Sequence, residues 1–155
     1  MSENLTIRPL GERPDLIDLT CEWHLPEFDP GGNLDDWRTA RKREARHGGV
    51  PCAWVAFIDA TPVGSVSLVE HNMDTHPELT PWLAALFVLP VYRGRGIGEA
   101  LVHRCEREAR AAGFASMFLY ASDARTYYPR FGWTHVAEDI SEDTQVFIMS
   151  KDLRS

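Results

Sequence analysis

Three glycines at alternate positions, Gly94, Gly96 and Gly98, interleaved with Arg95 and Ile97 and preceded by Arg93, carry the clearest chemical potential in the chain. An apolar run of strand length, Leu83 to Leu89, leads into them, and Pro90 terminates that run. Beyond them apolar residues recur at helical spacing: Ile97, Leu101, Cys105, Ala109 and Ala112. A strand therefore feeds a turn and then a helix N-terminus. The first N–H groups of a helix lack intrahelical partners, and the helix dipole adds about half a positive charge, so a phosphate is stabilised there without a dedicated side chain. Glycines let a bulky diphosphate approach the main chain, and Arg93 and Arg95 add charge. A P-loop would need a Gly-Lys-Ser/Thr ending, yet no lysine lies between Lys42 and Lys151. A dinucleotide fingerprint would need a third glycine where Glu99 stands.

These residues must be positioned by a larger set of elements. Leu5 to Leu10 reads as an opening strand, followed by two helices over about the next forty residues. Cys52 to Ile58 and Val63 to Val69 are rich in Val, Ile, Phe and Trp, and Asp59-Ala60-Thr61-Pro62 between them predicts a hairpin. Glu70 to Thr80 is a polar connection to the central strand, Trp82 to Val88. A helix over Gly98 to Ala112, a stop at Gly113 and a strand Ser116 to Tyr120 follow. A short helix is expected over Ala124 to Phe131, with Asp123 as its N-cap, then strands near Thr134 to Ala137 and Thr144 to Ser150.

Arg93-x-x-Gly96-x-Gly98, preceded by Val88-x-Pro90, resembles the acetyl-CoA loop of the GCN5-related N-acetyltransferase (GNAT) family. Tyr127-Tyr128-Pro129-Arg130-Phe131-Gly132-Trp133 is similar to that family's C-terminal aromatic motif, with Pro129 as a departure. The resemblance is clear over residues 50–150 and fainter upstream. It implies an α/β (α+β mixed) fold: a mostly antiparallel mixed sheet of about seven strands, flanked by helices and splayed between strands four and five. It also implies that the pantetheine arm of acetyl-CoA pairs with main-chain groups of Leu86, Phe87 and Val88, while Arg93, Gly94, Arg95, Gly96, Ile97 and Gly98 hold the diphosphate.

The implied activity is transfer of acetyl from acetyl-CoA to an amine acceptor by direct attack in a ternary complex. Such chemistry asks for a base, an oxyanion donor and an acid for the departing thiolate. The resemblance gives the acid role to Tyr128 and leaves Tyr127 as a core contact. Many relatives carry a glutamate on the central strand, but Leu83, Ala84 and Ala85 stand there and cannot take a proton. Glu70 is the candidate base, with His71 next, and Asp74, His76 and Glu78 more distant choices. The oxyanion donor is expected to be a backbone N–H near Val88. Relatives often have an asparagine after strand five, where this chain runs Ala121-Ser122-Asp123-Ala124; Ser122 is not assigned to the site.

The chain has 155 residues, the size of one catalytic domain spanning 1–155, and no repeat or linker divides it. It has no apolar signal core and no run long enough to span a membrane, so a cytoplasmic protein is expected. Cys21, Cys52 and Cys105 form no C-x-x-C pair and read as reduced core thiols rather than metal ligands. Sixteen basic against twenty-three acidic residues give a net charge of −7, which argues against nucleic acid. The basic run Arg38, Arg41, Lys42, Arg43 and Arg46 reads as a solvated helix face. Acidic residues gather at Glu70, Asp74 and Glu78 and at Glu138, Asp139, Glu142 and Asp143, and either group lining the acceptor cleft would favour a cationic amine. Five tryptophans leave room for one or two at the cleft. A small molecule or a peptide could be the acceptor, and a homodimer through the C-terminal strand is compatible with the resemblance. The alternative function is an acyl-CoA-binding sensor or interaction module of the same fold with little catalysis; a dinucleotide-binding domain stands third.

Overall fold

The computed structural model describes residues 4–122, 127–141 and 143–154. Seven strands form one sheet: β1 (Leu5–Pro9), β2 (Cys52–Ile58), β3 (Thr61–Val69), β4 (Trp82–Val88), β5 (Ser116–Ala121), β6 (Thr134–Ser141) and β7 (Thr144–Asp152). Their spatial order is β1-β2-β3-β4-β5-β7-β6, with every pairing antiparallel except β4 with β5. Helices α1 (Ile17–Phe28) and α2 (Leu34–Glu44) contact the sheet on the β2 and β4 side, and α3 (Ile97–Ala111) packs against β2 to β5. Among the described residues no helix is long and apolar enough to cross a membrane.

Strand β2 shows why the sheet is sandwiched. Its alternate residues serve two clusters, with Cys52, Trp54 and Ala56 in the α3-side core and Ala53, Val55 and Phe57 packed with Leu10 and Leu16. Period-two alternation with apolar residues on both faces requires a cover on each. α3 buries Ile97, Leu101, Val102, Cys105 and Ala109 along one stripe; Ala112, expected on that stripe, is the exposed C-cap. The helix ends at Gly113 (φ +94°), where Gly113 N–H donates to Arg110 O and Phe114 N–H to Ala109 O, the Schellman arrangement.

Several boundaries differ from the sequence reading for physical reasons. The β2–β3 turn is Asp59-Ala60 alone, since Pro62 joins β3 beside a register shift where a missing N–H costs no regular ladder bond. β6 runs on through Glu138 and Asp139 to Ser141, because at an edge strand Glu138 reaches solvent while Asp139 finds Thr75 and His76 as partners. Of the expected 124–131 helix, a 3₁₀ turn spans Tyr128–Phe131; Asp123, Ala124 and Glu142 lie outside the described residues. Cys21, Cys52 and Cys105 are buried free thiols.

Candidate active site

The central feature is where β4 leaves its neighbours. On the β3 side, Ser65 pairs with Phe87 and Ser67 with Ala84, so Ala85 and Leu86 together oppose Val66 as a bulge, and Ala85 takes φ +54°. A non-glycine residue at positive φ is strained, and such strain is found at functional positions. On the β5 side, Trp82 opposite Phe118 is the single register pair. Beyond it the strands part, leaving main-chain groups of β4 facing open space.

Two cavities occupy that opening. The smaller, about 470 Å³, runs along the end of β4 to the N-terminus of α3 and is lined by Leu86, Phe87, Val88, Arg93, Gly94, Gly96, Ile97 and Gly98 together with Tyr92, Glu99, Tyr127 and Arg130. Gly94 (φ +80°) and Gly96 (φ +83°) supply the left-handed turns, and Gly96 is the N-cap. The first helical bond is Ala100 N–H to Gly96 O, so the N–H groups of Ile97, Gly98 and Glu99 precede the helical ladder, and no side chain caps them. A Cβ on Gly98 would stand 2.4 Å from the Tyr127 hydroxyl, which fixes that residue as glycine for as long as the ring lies there. These features fit a diphosphate.

The arginines divide. Arg93 lines the groove, but its Nε donates to Val88 O at 2.7 Å and its guanidinium lies 5.6 Å from the Phe87 ring, clamping the strand end. Arg95 stands over Tyr92 at 5.2 Å and is not among the groove-lining residues. Tyr127, expected as a core contact, is half-buried and lines the groove.

The larger cavity, about 1100 Å³, shares Leu86 and Glu27 with the first. Its walls are Leu83 to Leu86 of β4, Leu119 to Ser122 of β5 and its end, Tyr128, and side chains from α1, α2 and the end of β3. Tyr128 stacks edge-on against Tyr127 (5.0 Å) and Trp133 (6.2 Å), while its hydroxyl has no hydrogen-bond partner among the described residues and is not enclosed. Burial pushes the phenol up beyond the ordinary tyrosine range, and Tyr127 adds to the shift. It is therefore protonated throughout the neutral range, as an acid requires.

The segment bearing Tyr128 is tied to α3 through Glu106, which is 6% exposed. Glu106 accepts from Trp133 Nε1 at 3.1 Å and pairs with Lys151 Nζ at 3.7 Å, and Lys151 also donates to Phe131 O. Removing that carboxylate would leave the buried Trp133 N–H unpaired.

Glu70 lies exposed at the cleft with no hydrogen bond or ion pair among the described residues, and His71 lines the same wall. Asp74, His76 and Glu78 do not line it. His76 Nε2 instead donates to Asp139 Oδ2 at 2.8 Å, pinning the β3–β4 connection to β6. Of the two acidic groups considered for the acceptor cleft, Glu70 lines it, whereas Glu138, Asp139 and Asp143 do not; Glu27, Asp29, Asp36 and Glu44 from α1, α2 and their connection complete its acidic wall. Trp37 lines the cleft and donates to Asp29 Oδ2 at 3.1 Å.

A second correction concerns the basic run on α2. Arg41 is 1% exposed rather than solvated, and sits between Thr20, Ser65, Ser67 and Glu44. The clue in the sequence was Ser65-x-Ser67, two hydroxyls on one face of an otherwise apolar strand, which need a polar partner.

Comparison with known proteins agrees with this geometry. The acetyltransferase (GNAT) family model matches residues 17–133. YafP of Escherichia coli K12, described as an uncharacterized N-acetyltransferase, is 33% identical over 86 residues, which cover 55% of this chain and 47% of YafP, so the match spans about half of that relative. The crystal structure of aminoglycoside 6'-acetyltransferase type Ii superposes with a TM-score of 0.75 at 19% identity, covering 97% of this chain and 98% of that one. The structure of yncA, a putative acetyltransferase from Salmonella typhimurium with its cofactor acetyl-CoA, gives 0.70 at 19% identity over 97% and 95% of the two chains. The chain belongs to the GNAT acetyltransferase family.

Proposed function

We propose that this protein transfers acetyl from acetyl-CoA to an amine by direct attack in a ternary complex. The observation that supports this reading most strongly is the meeting of the two cavities at Leu86, with a groove at a bare helix N-terminus on one side and, on the other, a protonated Tyr128 hydroxyl that has no hydrogen-bond partner among the described residues. Acetyl-CoA, when bound, supplies the reactive thioester. The N–H groups of Ile97, Gly98 and Glu99 receive its diphosphate, and those main-chain groups over Leu86 to Val88 that neither β3 nor Arg93 engages receive the arm. A main-chain N–H near Val88 donates to the thioester oxygen as charge builds there. Glu70 takes one proton of the acceptor's ammonium through a water, the free amine forms the C–N bond, and as the C–S bond breaks Tyr128 gives its hydroxyl proton to the sulfur and regains one from the nitrogen, which sheds its second proton to become the amide.

The cleft supports a cationic acceptor, since five acidic residues (Glu27, Asp29, Asp36, Glu44, Glu70) and two arginines (Arg41, Arg43) line it. A catalytically weak sensor is the second reading, favoured by one observation: β4 offers the cavity only Leu83, Ala84, Ala85 and Leu86, none of them titratable. Release of CoA thiol from acetyl-CoA, measured against polyamines, aminoglycosides, amino acids and short peptides, separates the two. Transfer is expected on one amine class for the wild type and to drop on the order of 10²-fold or more in kcat for Tyr128→Phe. A protein stabilised by acetyl-CoA that turns over none of them is the sensor.

A further inference from the structure

We propose that Glu44, on the last turn of α2, is the carboxylate that receives the acceptor's ammonium group. This rests on the amine-transfer reading above and assigns it a recognition residue.

The carboxylate is held at one end and open at the other. Its Oε1 accepts from Ser67 Oγ at 2.6 Å and from Arg41 Nη1 at 3.2 Å, and Arg41 Nη1 also donates to Ser67 Oγ at 2.8 Å. Arg41 is itself fixed by Thr20 Oγ1 (3.3 Å) and Ser65 Oγ (3.4 Å), and Ser65 meets His24 Nε2 at 3.0 Å, so the clamp reaches α1, α2 and β3. The Glu44 side chain is 13% exposed, Oε2 has no hydrogen bond among the described residues, and it is not enclosed. Glu44 lines the larger cavity. A carboxylate whose rotamer is set by a buried guanidinium and a hydroxyl, with one free oxygen toward a cavity, meets a cation without first losing side-chain freedom.

Its position relates it to the chemistry. Ser67 pairs across the sheet with Ala84, the residue before the Ala85–Leu86 bulge. Directly opposed residues in antiparallel strands have Cβ atoms about 5 Å apart on one face, so the carboxylate bonded to Ser67 overhangs the methyl group of Ala84 at the point where β4 and β5 separate. The small side chains of Ala84 and Ala85 leave the space below it clear. Glu70, also acidic and at the end of β3, has no hydrogen bond or ion pair among the described residues and suits proton exchange with water rather than orientation.

The test is steady-state kinetics of wild type, Glu44→Gln and Glu44→Asp with the best cationic amine of the panel and with 2,2,2-trifluoroethylamine, which is uncharged at neutral pH. For Glu44→Gln the ratio of kcat/KM for the cationic over the uncharged amine is expected to fall at least tenfold through the acceptor KM, with the acetyl-CoA KM unmoved; Glu44→Asp is expected to restore part of the ratio. A partly unfolded population scales both amines equally and leaves the ratio alone. An unchanged ratio overturns the assignment while leaving the transfer reading intact. If Glu44→Gln does not fold, Ser67→Ala releases the clamp with the charge retained, and a severalfold rise in acceptor KM is expected; none overturns the assignment. If the wild type turns over no amine, the transfer reading fails, and calorimetric titration of 1,4-diaminobutane in the presence of CoA decides Glu44: tenfold weaker binding by Glu44→Gln supports it, and equal or absent binding overturns it.

Discussion

The groove at the α3 N-terminus and the cleft between β4 and β5 share a wall at Leu86, yet they are built from different materials. The groove is made chiefly of main chain from one continuous segment, Leu86 to Glu99: a bulged strand, two left-handed glycines and the first N–H groups of a helix. The cleft is made of side chains from α1, α2, β3, β4, β5 and the Tyr128 turn, separated by up to a hundred residues of sequence. Backbone geometry admits one family of ligands, those with a phosphate to offer a helix N-terminus. Side-chain walls can be rewritten residue by residue without disturbing the sheet, and they set what enters from the other side.

If the division holds, substitutions in the two regions should split cleanly between the two substrates. The largest effect is expected from Tyr128→Phe, which removes the acid while keeping the ring: kcat falls on the order of 10²- to 10⁴-fold, with acetyl-CoA affinity within about twofold by calorimetry. Gly96→Val comes next. The site has open space but φ +83°, so a β-branched residue is strained by about 1–2 kcal/mol and turns the first N–H groups away. Acetyl-CoA KM is expected to rise about tenfold with the acceptor KM unmoved; a rise in both would mean that the regions are not independent.

The polar cluster buried behind the cleft wall has its own signature in pH. His24 is fully buried, and burial first, then Arg41, lowers its pKa from 6.5 to about 2. The native imidazole stays neutral while the unfolded one gains a proton, so stability is lost as pH falls below about 6.5, at about 1.4 kcal/mol per pH unit. Chemical denaturation at pH 7.5 and 5.5 measures it, and His24→Gln is expected to flatten that dependence. The smallest effect concerns the thiols. Burial pushes Cys52 up to about 11 and raises Cys21 and Cys105, so a disulfide reagent is expected to find no reactive thiol in the native protein and three after denaturation.

The same contrast explains what was legible in the sequence. Gly94, Gly96 and Gly98 announce the groove because a left-handed turn before an amphipathic helix leaves few residue choices. The mostly antiparallel sheet of about seven strands and the parting of β4 from β5 followed from the family resemblance, and the sheet bears both out. Legibility fails where a charged residue is buried. Arg41 reads as surface because lone arginines almost always are, and only the two serines on β3 hint at its place. Tyr127 reads as core because an aromatic beside Tyr128 gives no sign of which ring faces the groove, a matter settled by the empty position at Gly98. Glu27, Asp29, Asp36 and Glu44 were missed because nothing local marks a carboxylate that a distant strand completes into a wall.

Hydrogen exchange followed residue by residue with and without acetyl-CoA puts the division to its most direct test. Slower exchange is expected at the amides of 86–88 and 97–99, with the amides of α2 unchanged until an amine is added. Protection spread over α1 and α2 by acetyl-CoA alone, or none at the α3 N-terminus, would contradict it.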